Sequence, residues 1–165
     1  SPRWLFPYPG TALMAAGLGL GAWILPGGAR IGGVDLDVHT LLYCAAAVVV
    51  GFQLAMFSVF SKVVAVLTGM HPFSPRADQI VRTLHLERGL AAGATLIALG
   101  LTGSLAATLR WAGSSFGDLD PVQVMRLVIP SVLLLLLGGQ VVSWSFHLGL
   151  LRLQWLRTFP AREAR

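Results

Sequence analysis

The sequence is short of charge and has almost no cysteine. Only 12% of its 165 residues are Asp, Glu, Lys or Arg, about half the roughly 25% of a soluble domain. That shortage excludes an ordinary water-covered surface. The lone cysteine, Cys44, excludes an intrachain disulfide, and no metal-ligand spacing is present. No catalytic site can be read from residue chemistry, so no catalytic residue and no metal ligand is assigned. Four long runs lack Asp, Glu, Lys and Arg altogether. Ion-coupled carriers need such residues in mid-membrane, which argues against a pump or proton-coupled transporter. No signal-peptide charge pattern or cleavage site is visible. Because the chain opens on Ser1-Pro2 and runs almost at once into apolar residues, we expect it to be a fragment or trimmed product of a longer protein.

What is present is apolar. Hydrophobic residues make up 55% of the chain and the mean hydropathy is +0.74, which places it in the membrane class. The net charge of +5 would suggest nucleic acid in a soluble protein. Here it belongs to the loops, and no nucleic-acid partner is expected.

Crossing a bilayer takes about 20 apolar residues. The runs predict helices at about 8–25, 40–62, 89–109 and 127–151. Pro26-Gly27-Gly28 ends the first, and Trp4, Tyr8 and Trp23 mark its interfaces. Gly17 and Gly21 have the spacing that lets another helix approach closely. Gln53 and Gln140, in mid-helix, need partners in neighbouring helices. Pro130 is expected in the first turns of its helix, where a missing N–H costs least. Residues 27–39 and 113–123 read as loops.

Between the halves lies the charged stretch His71–Gly89. Ser74 suits an N-cap and Pro75 the first helical position. Ala77, Ile80, Val81 and Leu84 share one face, so 74–88 reads as an amphipathic helix on the membrane surface. The expected fold is an all-α membrane protein. Two in–out–in hairpins, 1–73 and 89–151, are joined by that interfacial helix and followed by a basic tail, 152–165. With four crossings, Arg3, Lys62, Arg76, Arg82, Arg88, Arg152, Arg157, Arg162 and Arg165 share one side. Arg30, Arg110 and Arg126 take the other. Nine against three places both termini and the interfacial helix in the cytoplasm.

The halves also resemble each other. Gly51-Phe52-Gln53 matches Gly138-Gly139-Gln140 at an offset of 87, and Phe57-Ser58 meets Trp144-Ser145 there. Asp35-Leu36-Asp37 and Asp118-Leu119-Asp120 are offset by 83. A parallel duplication and chance similarity between apolar helices both account for this. Asp-x-Asp is a divalent-cation pattern; on the outer loops, solvation and helix capping explain it better. His85 and His147 lack carboxylate partners for a relay.

Lys62, Arg76, Arg82, Arg88 and Arg152 gather at the inner interface. Such cations anchor a membrane protein, and beside an amphipathic helix they also suit a lipid phosphate. Glu87 is placed to orient an arginine or to favour a helix N-terminus. Lys62, Arg76, Arg82, Glu87 and Arg88 are therefore the candidate lipid-phosphate residues.

The stretches SPRWLF-YPG, GGVDLDVHTLLY, the GFQ helix, LERGL and FG-LDP…MRLVIP resemble the C-terminal membrane region of bacterial family 2 glycosyltransferases. The resemblance is to dolichol-phosphate mannosyltransferase-like and polyprenyl-phosphate sugar transferases, and it covers Ser1 to about Arg152. It implies a cytosolic α/β domain, upstream or separate, that binds a nucleotide sugar with a divalent metal and transfers the sugar to a lipid-linked acceptor. This chain holds none of that domain and no cofactor of its own. The resemblance implies anchoring in the bacterial inner membrane and cradling of a polyprenyl phosphate. The alternative is a stand-alone accessory subunit or flippase-like factor for lipid-linked sugars.

Overall fold

The computed structural model describes residues 7–27, 29–31, 33–70, 86–113 and 121–158. The chain forms helix α1 (Pro7–Ile24), strands β1 (Ala29–Ile31) and β2 (Val34–Leu36), and helices α2 (Val38–Leu67), α3 (Leu86–Gly113) and α4 (Pro121–Thr158). Among the described residues three helices, α2, α3 and α4, are long and apolar enough to cross a membrane. At 1.5 Å per residue α2 spans about 45 Å, against a hydrocarbon core of about 30 Å. α1 has 18 residues, about 27 Å, and opens on Pro7-Tyr8-Pro9-Gly10, so its first turn is less apolar than the rest of it.

Outward faces carry Leu18, Leu99, Leu101, Leu105, Leu136 and Leu150, all exposed. Such a surface suits hydrocarbon and not water. Several threonine hydroxyls within the helices are satisfied locally. The hydroxyls of Thr95, Thr102 and Thr108 donate to the carbonyls four residues back at 2.8, 2.7 and 3.0 Å, as lipid demands.

α1 packs along α2, α3 along α4, and α2 lies beside α4. Gly10 meets Gly51 and Gly17 meets Cys44, so α1 and α2 are antiparallel. Gly93 meets Gly138 and Gly100 meets Ser131, so α3 and α4 are antiparallel too. α2 and α4 run parallel: Asp37 pairs with Arg126 at one end, and Phe60 meets Trp144 towards the other.

These contacts repeat. A Cβ on Gly17 would stand 2.6 Å from the Cys44 carbonyl oxygen; on Gly100, 2.7 Å from that of Ser131. On Gly10 it would stand 2.9 Å from the Gly51 oxygen; on Gly93, 3.0 Å from that of Gly138. Gly10 and Gly17 map onto Gly93 and Gly100 at an offset of 83. Cys44 and Gly51 map onto Ser131 and Gly138 at 87. The two offsets seen in the sequence are thus the offsets of the two helices of each pair, with four residues gained between them. The same backbone approach is built twice, which favours duplication over chance.

Three features depart from expectation. The first loop contains an antiparallel hairpin, with Ala29 opposite Leu36, Arg30 opposite Asp35 and Ile31 opposite Val34. Gly33 has φ +85°, the left-handed backbone that tight hairpins need and glycine supplies. α4 begins at Pro121 and not near residue 127, which puts Pro121 where proline fits a helix and leaves Pro130 inside. A membrane helix tolerates that because neighbours re-satisfy the freed carbonyl. Finally, α4 continues past Leu151 to Thr158, so the tail begins as helix. The reason is packing: Trp155, fully buried, sits against Val63 and Val66 of α2, with Leu67 and Leu151 around them. Residues 71–85, with most of the expected interfacial helix, lie outside the described residues. Leu86, Glu87 and Arg88 form the first turn of α3.

Candidate functional site

Three elements converge at the end of the bundle where α2 stops, α3 starts and α4 leaves the apolar region. The amphipathic phase of each helix decides which side chains face one another there. On α2, Phe60 and Val63 turn towards α4, which leaves Lys62 between them on the exposed side. On α3, Gly89 rests on Ser145 and Leu86 on Gly149, so the intervening Glu87 and Arg88 are exposed at the same level. On α4, Trp144, His147, Leu151 and Trp155 recur every three or four residues and face α2. Arg152 lies half-buried beside that stripe.

An aromatic layer underlies the cations. The rings of Phe60 and Trp144 meet edge to face, 5.8 Å apart at 64°. His147 lies 6.4 Å from Phe60 and 5.9 Å from Trp144. The Nδ1 of His147 lies 2.8 Å from the Ser143 carbonyl oxygen. A carbonyl only accepts, so Nδ1 is the donor in this contact.

Lys62, Glu87, Arg88 and Arg152 form no ion pair with another described residue. Glu87 stands in the first turn of α3, where a carboxylate is favoured by the helix dipole. Lys62, Arg88 and Arg152 are three cations at one end of the bundle, none of them in an ion pair with another described residue. Arg76 and Arg82 lie outside the described residues.

The opposite end is different. Asp37 is the N-cap of α2, yet its carboxylate makes no capping hydrogen bond. It accepts instead from Arg126 Nη2 at 2.9 Å, with side chains 35% and 22% exposed. This pair ties the start of α2 to α4, and it gives Asp37 a structural use that the Asp-x-Asp spacing does not reveal. Arg126 Nε is buried without a partner among the described residues. Among the described residues no three of His, Cys, Asp and Glu gather as metal ligands would.

The two glutamines part company. Gln53 lies on the less enclosed side of α2. Gln140 is half-buried, and its Oε1 is enclosed without a donor among the described residues. The aromatic layer was missed by residue chemistry. Its signal was the three-and-four spacing of Trp144, His147, Leu151 and Trp155, continuing past the predicted helix end.

The family described as the glycosyltransferase family 2 C-terminal transmembrane region matches residues 59–152, more than half of the chain. The match runs from just before Lys62 to Arg152 and so takes in the whole cationic end. Among curated proteins, the chain is 30% identical over 151 residues to the low-salt glycan biosynthesis hexosyltransferase Agl6 of Haloferax volcanii. That alignment covers 90% of this chain and 35% of the relative, so the chain spans about a third of the relative's length. No solved structure matches.

Proposed function

The chain belongs to the family of glycosyltransferase family 2 C-terminal transmembrane regions, and from that premise we propose that it is the membrane domain of an enzyme that moves a sugar from a nucleotide sugar to a polyprenyl-phosphate type lipid. The hexosyltransferase name of the relative supports a hexose as the sugar. The catalytic α/β domain, with its divalent metal, resides in the remainder of the enzyme or in a separate chain. This domain anchors that chemistry at the bilayer and presents the lipid phosphate to it.

The carrying observation is the set of cations Lys62, Arg88 and Arg152, at one end of the bundle and in no ion pair with another described residue, beside the layer of Phe60, Trp144 and His147. Arg76 and Arg82 add to the set by their place in the sequence, and Glu87 favours the N-terminus of α3 from its first turn. A phosphate ester of a prenyl alcohol has two chemical parts, and this end offers a surface for each. The cations bind its oxygens by charge-assisted hydrogen bonds, and the aromatic belt marks the boundary below which the prenyl chain enters hydrocarbon. In this reading α1 is the fourth crossing. Both termini then face the cytoplasm of a bacterial inner membrane, on the side where nucleotide sugars are made.

The test uses the full-length enzyme. Replacing Arg76, Arg82 and Arg88 together by Gln should raise KM for polyprenyl phosphate and leave KM for the nucleotide sugar unchanged. Removing one charge-assisted hydrogen bond costs about 1.5–3 kcal/mol, or roughly ten- to a hundredfold in affinity for each. Unchanged acceptor use in the triple variant would remove the phosphate cradle from the account.

A further inference from the structure

α2 and α4 touch near both ends. Between the Asp37–Arg126 pair and the Phe60–Trp144 contact, a groove of about 510 Å³ opens between them. Residues of these two helices line it, from Val38 to Val50 on α2 and from Met125 to Leu136 on α4. Its walls come from matching positions of the repeat. Leu42, Ala45 and Val49 correspond, at the offset of 87, to Ile129, Val132 and Leu136, and all six line it. The groove therefore lies where the two halves meet with equivalent faces.

Four observations bear on what fills it. The lining is apolar except for His39 at the end. Leu42, Val132 and Leu136 are 58%, 42% and 51% exposed, so the walls are open to the surroundings of the helices, which in these spans are hydrocarbon. From Val38 to Val50 the groove runs about 18 Å along α2, close to the roughly 15 Å of one leaflet of the hydrocarbon core. At the rim, Arg126 is neutralised by Asp37, which leaves no net charge in that pair to choose a charged headgroup.

We propose that this groove is a lateral lipid site that holds one hydrocarbon chain of a membrane lipid from the leaflet at the Asp37–Arg126 end, selected by its chain and not by headgroup charge. The proposal rests on the membrane-spanning reading of α2 and α4. It is separate from the acceptor phosphate, which belongs to the cationic end. Ala45 and Ala46 are what make the room, being far smaller than their counterparts Val132 and Leu133.

The full-length protein is exchanged into nanodiscs of phosphatidylcholine or of phosphatidylglycerol, extracted in mild detergent and weighed by native mass spectrometry. One lipid per chain should remain from either source. Ala46→Trp, which fills the groove, should cut retention by about tenfold or more, and the milder Val49→Phe should cut it less. Leu99→Trp, on the exposed face of α3, should leave it unchanged. Melting temperatures close to that of the parent show that the variants fold. Retention by folded Ala46→Trp overturns the proposal. So does a preference of about tenfold for phosphatidylglycerol. A lipid-free dimer that Ala46→Trp dissociates would assign the groove to a second copy and overturn it as well.

Discussion

The sharpest structural prediction concerns two adjacent glycines. A Cβ at Gly138 would lie 2.8 Å from the Gly93 carbonyl oxygen and 2.9 Å from the Ile97 nitrogen, both backbone atoms that cannot swing aside. A Cβ at Gly139 meets nothing within 4 Å. For Gly138→Ala, reaching an ordinary 3.4 Å contact moves α3 and α4 apart by about 0.6 Å. A gap of that size forfeits about a quarter to a half of each dispersion well. Over roughly 40 atom pairs at about 0.15 kcal/mol each, the penalty is about 1.5–3 kcal/mol, in line with the 1–3 kcal/mol typical of overpacking. Between membrane helices no hydrophobic term offsets that penalty. Gly139→Ala should instead be neutral or stabilising, since alanine is the better helix former by up to about 1 kcal/mol. The assay is reversible unfolding of the purified protein in mixed micelles. Gly51→Ala, the repeat counterpart, should behave like Gly138→Ala, because its Cβ would stand 2.5 Å from the Gly10 oxygen. Equal stabilities for Gly138→Ala and Gly139→Ala would refute the close-approach argument.

Three further outcomes follow from the same packing. Trp155→Ala should destabilise by about 3–5 kcal/mol, as emptying a fully buried aromatic site does, and should expose the end of α4 to limited proteolysis. In a double-mutant cycle, Asp37→Asn and Arg126→Gln should couple by about 0.5–1 kcal/mol, the range of a pair still reached by solvent; additive effects would dissociate the two residues. In a Cys44→Ser background, a cysteine at Gly33 and one at Thr68 should label from opposite faces of sealed vesicles, with Thr68 reached from the cytoplasmic face. Labelling of both from one face would contradict the topology.

Much of the fold was legible because lipid imposes a simple rule: a chain in hydrocarbon must satisfy its backbone internally, and long uncharged runs do so as helices. α2 and α3 therefore lie close to the expected runs. Where charge was read as a helix end, packing prevailed. Arg152 and Arg157 looked like the start of a tail, yet Trp155 packs on Val63 and Val66 and carries the helix on to Thr158. The hairpin at 29–36 was signalled by Gly32-Gly33 between Ile31 and Val34, a hairpin pattern that reads as plain loop when only charge and hydropathy are followed. Asp37 looked like a cap or a metal-binding spacing; its partner Arg126 is 89 residues away, beyond any local rule. The cationic end was legible residue by residue, whereas the aromatic layer and the α2–α4 groove depend on which helix faces meet. The duplication joins the two levels, since offsets of 83 and 87 in sequence become one crossing built twice in space.

The central claim is that this domain serves sugar transfer to a phosphate-bearing prenyl lipid at the membrane. It is tested most directly by supplying the full-length enzyme with a labelled nucleotide sugar and, in parallel, polyprenyl phosphate or the corresponding polyprenol. The account predicts a labelled lipid product with polyprenyl phosphate and none with the alcohol. Equal transfer to both, or transfer to a soluble acceptor in the absence of lipid, would contradict it.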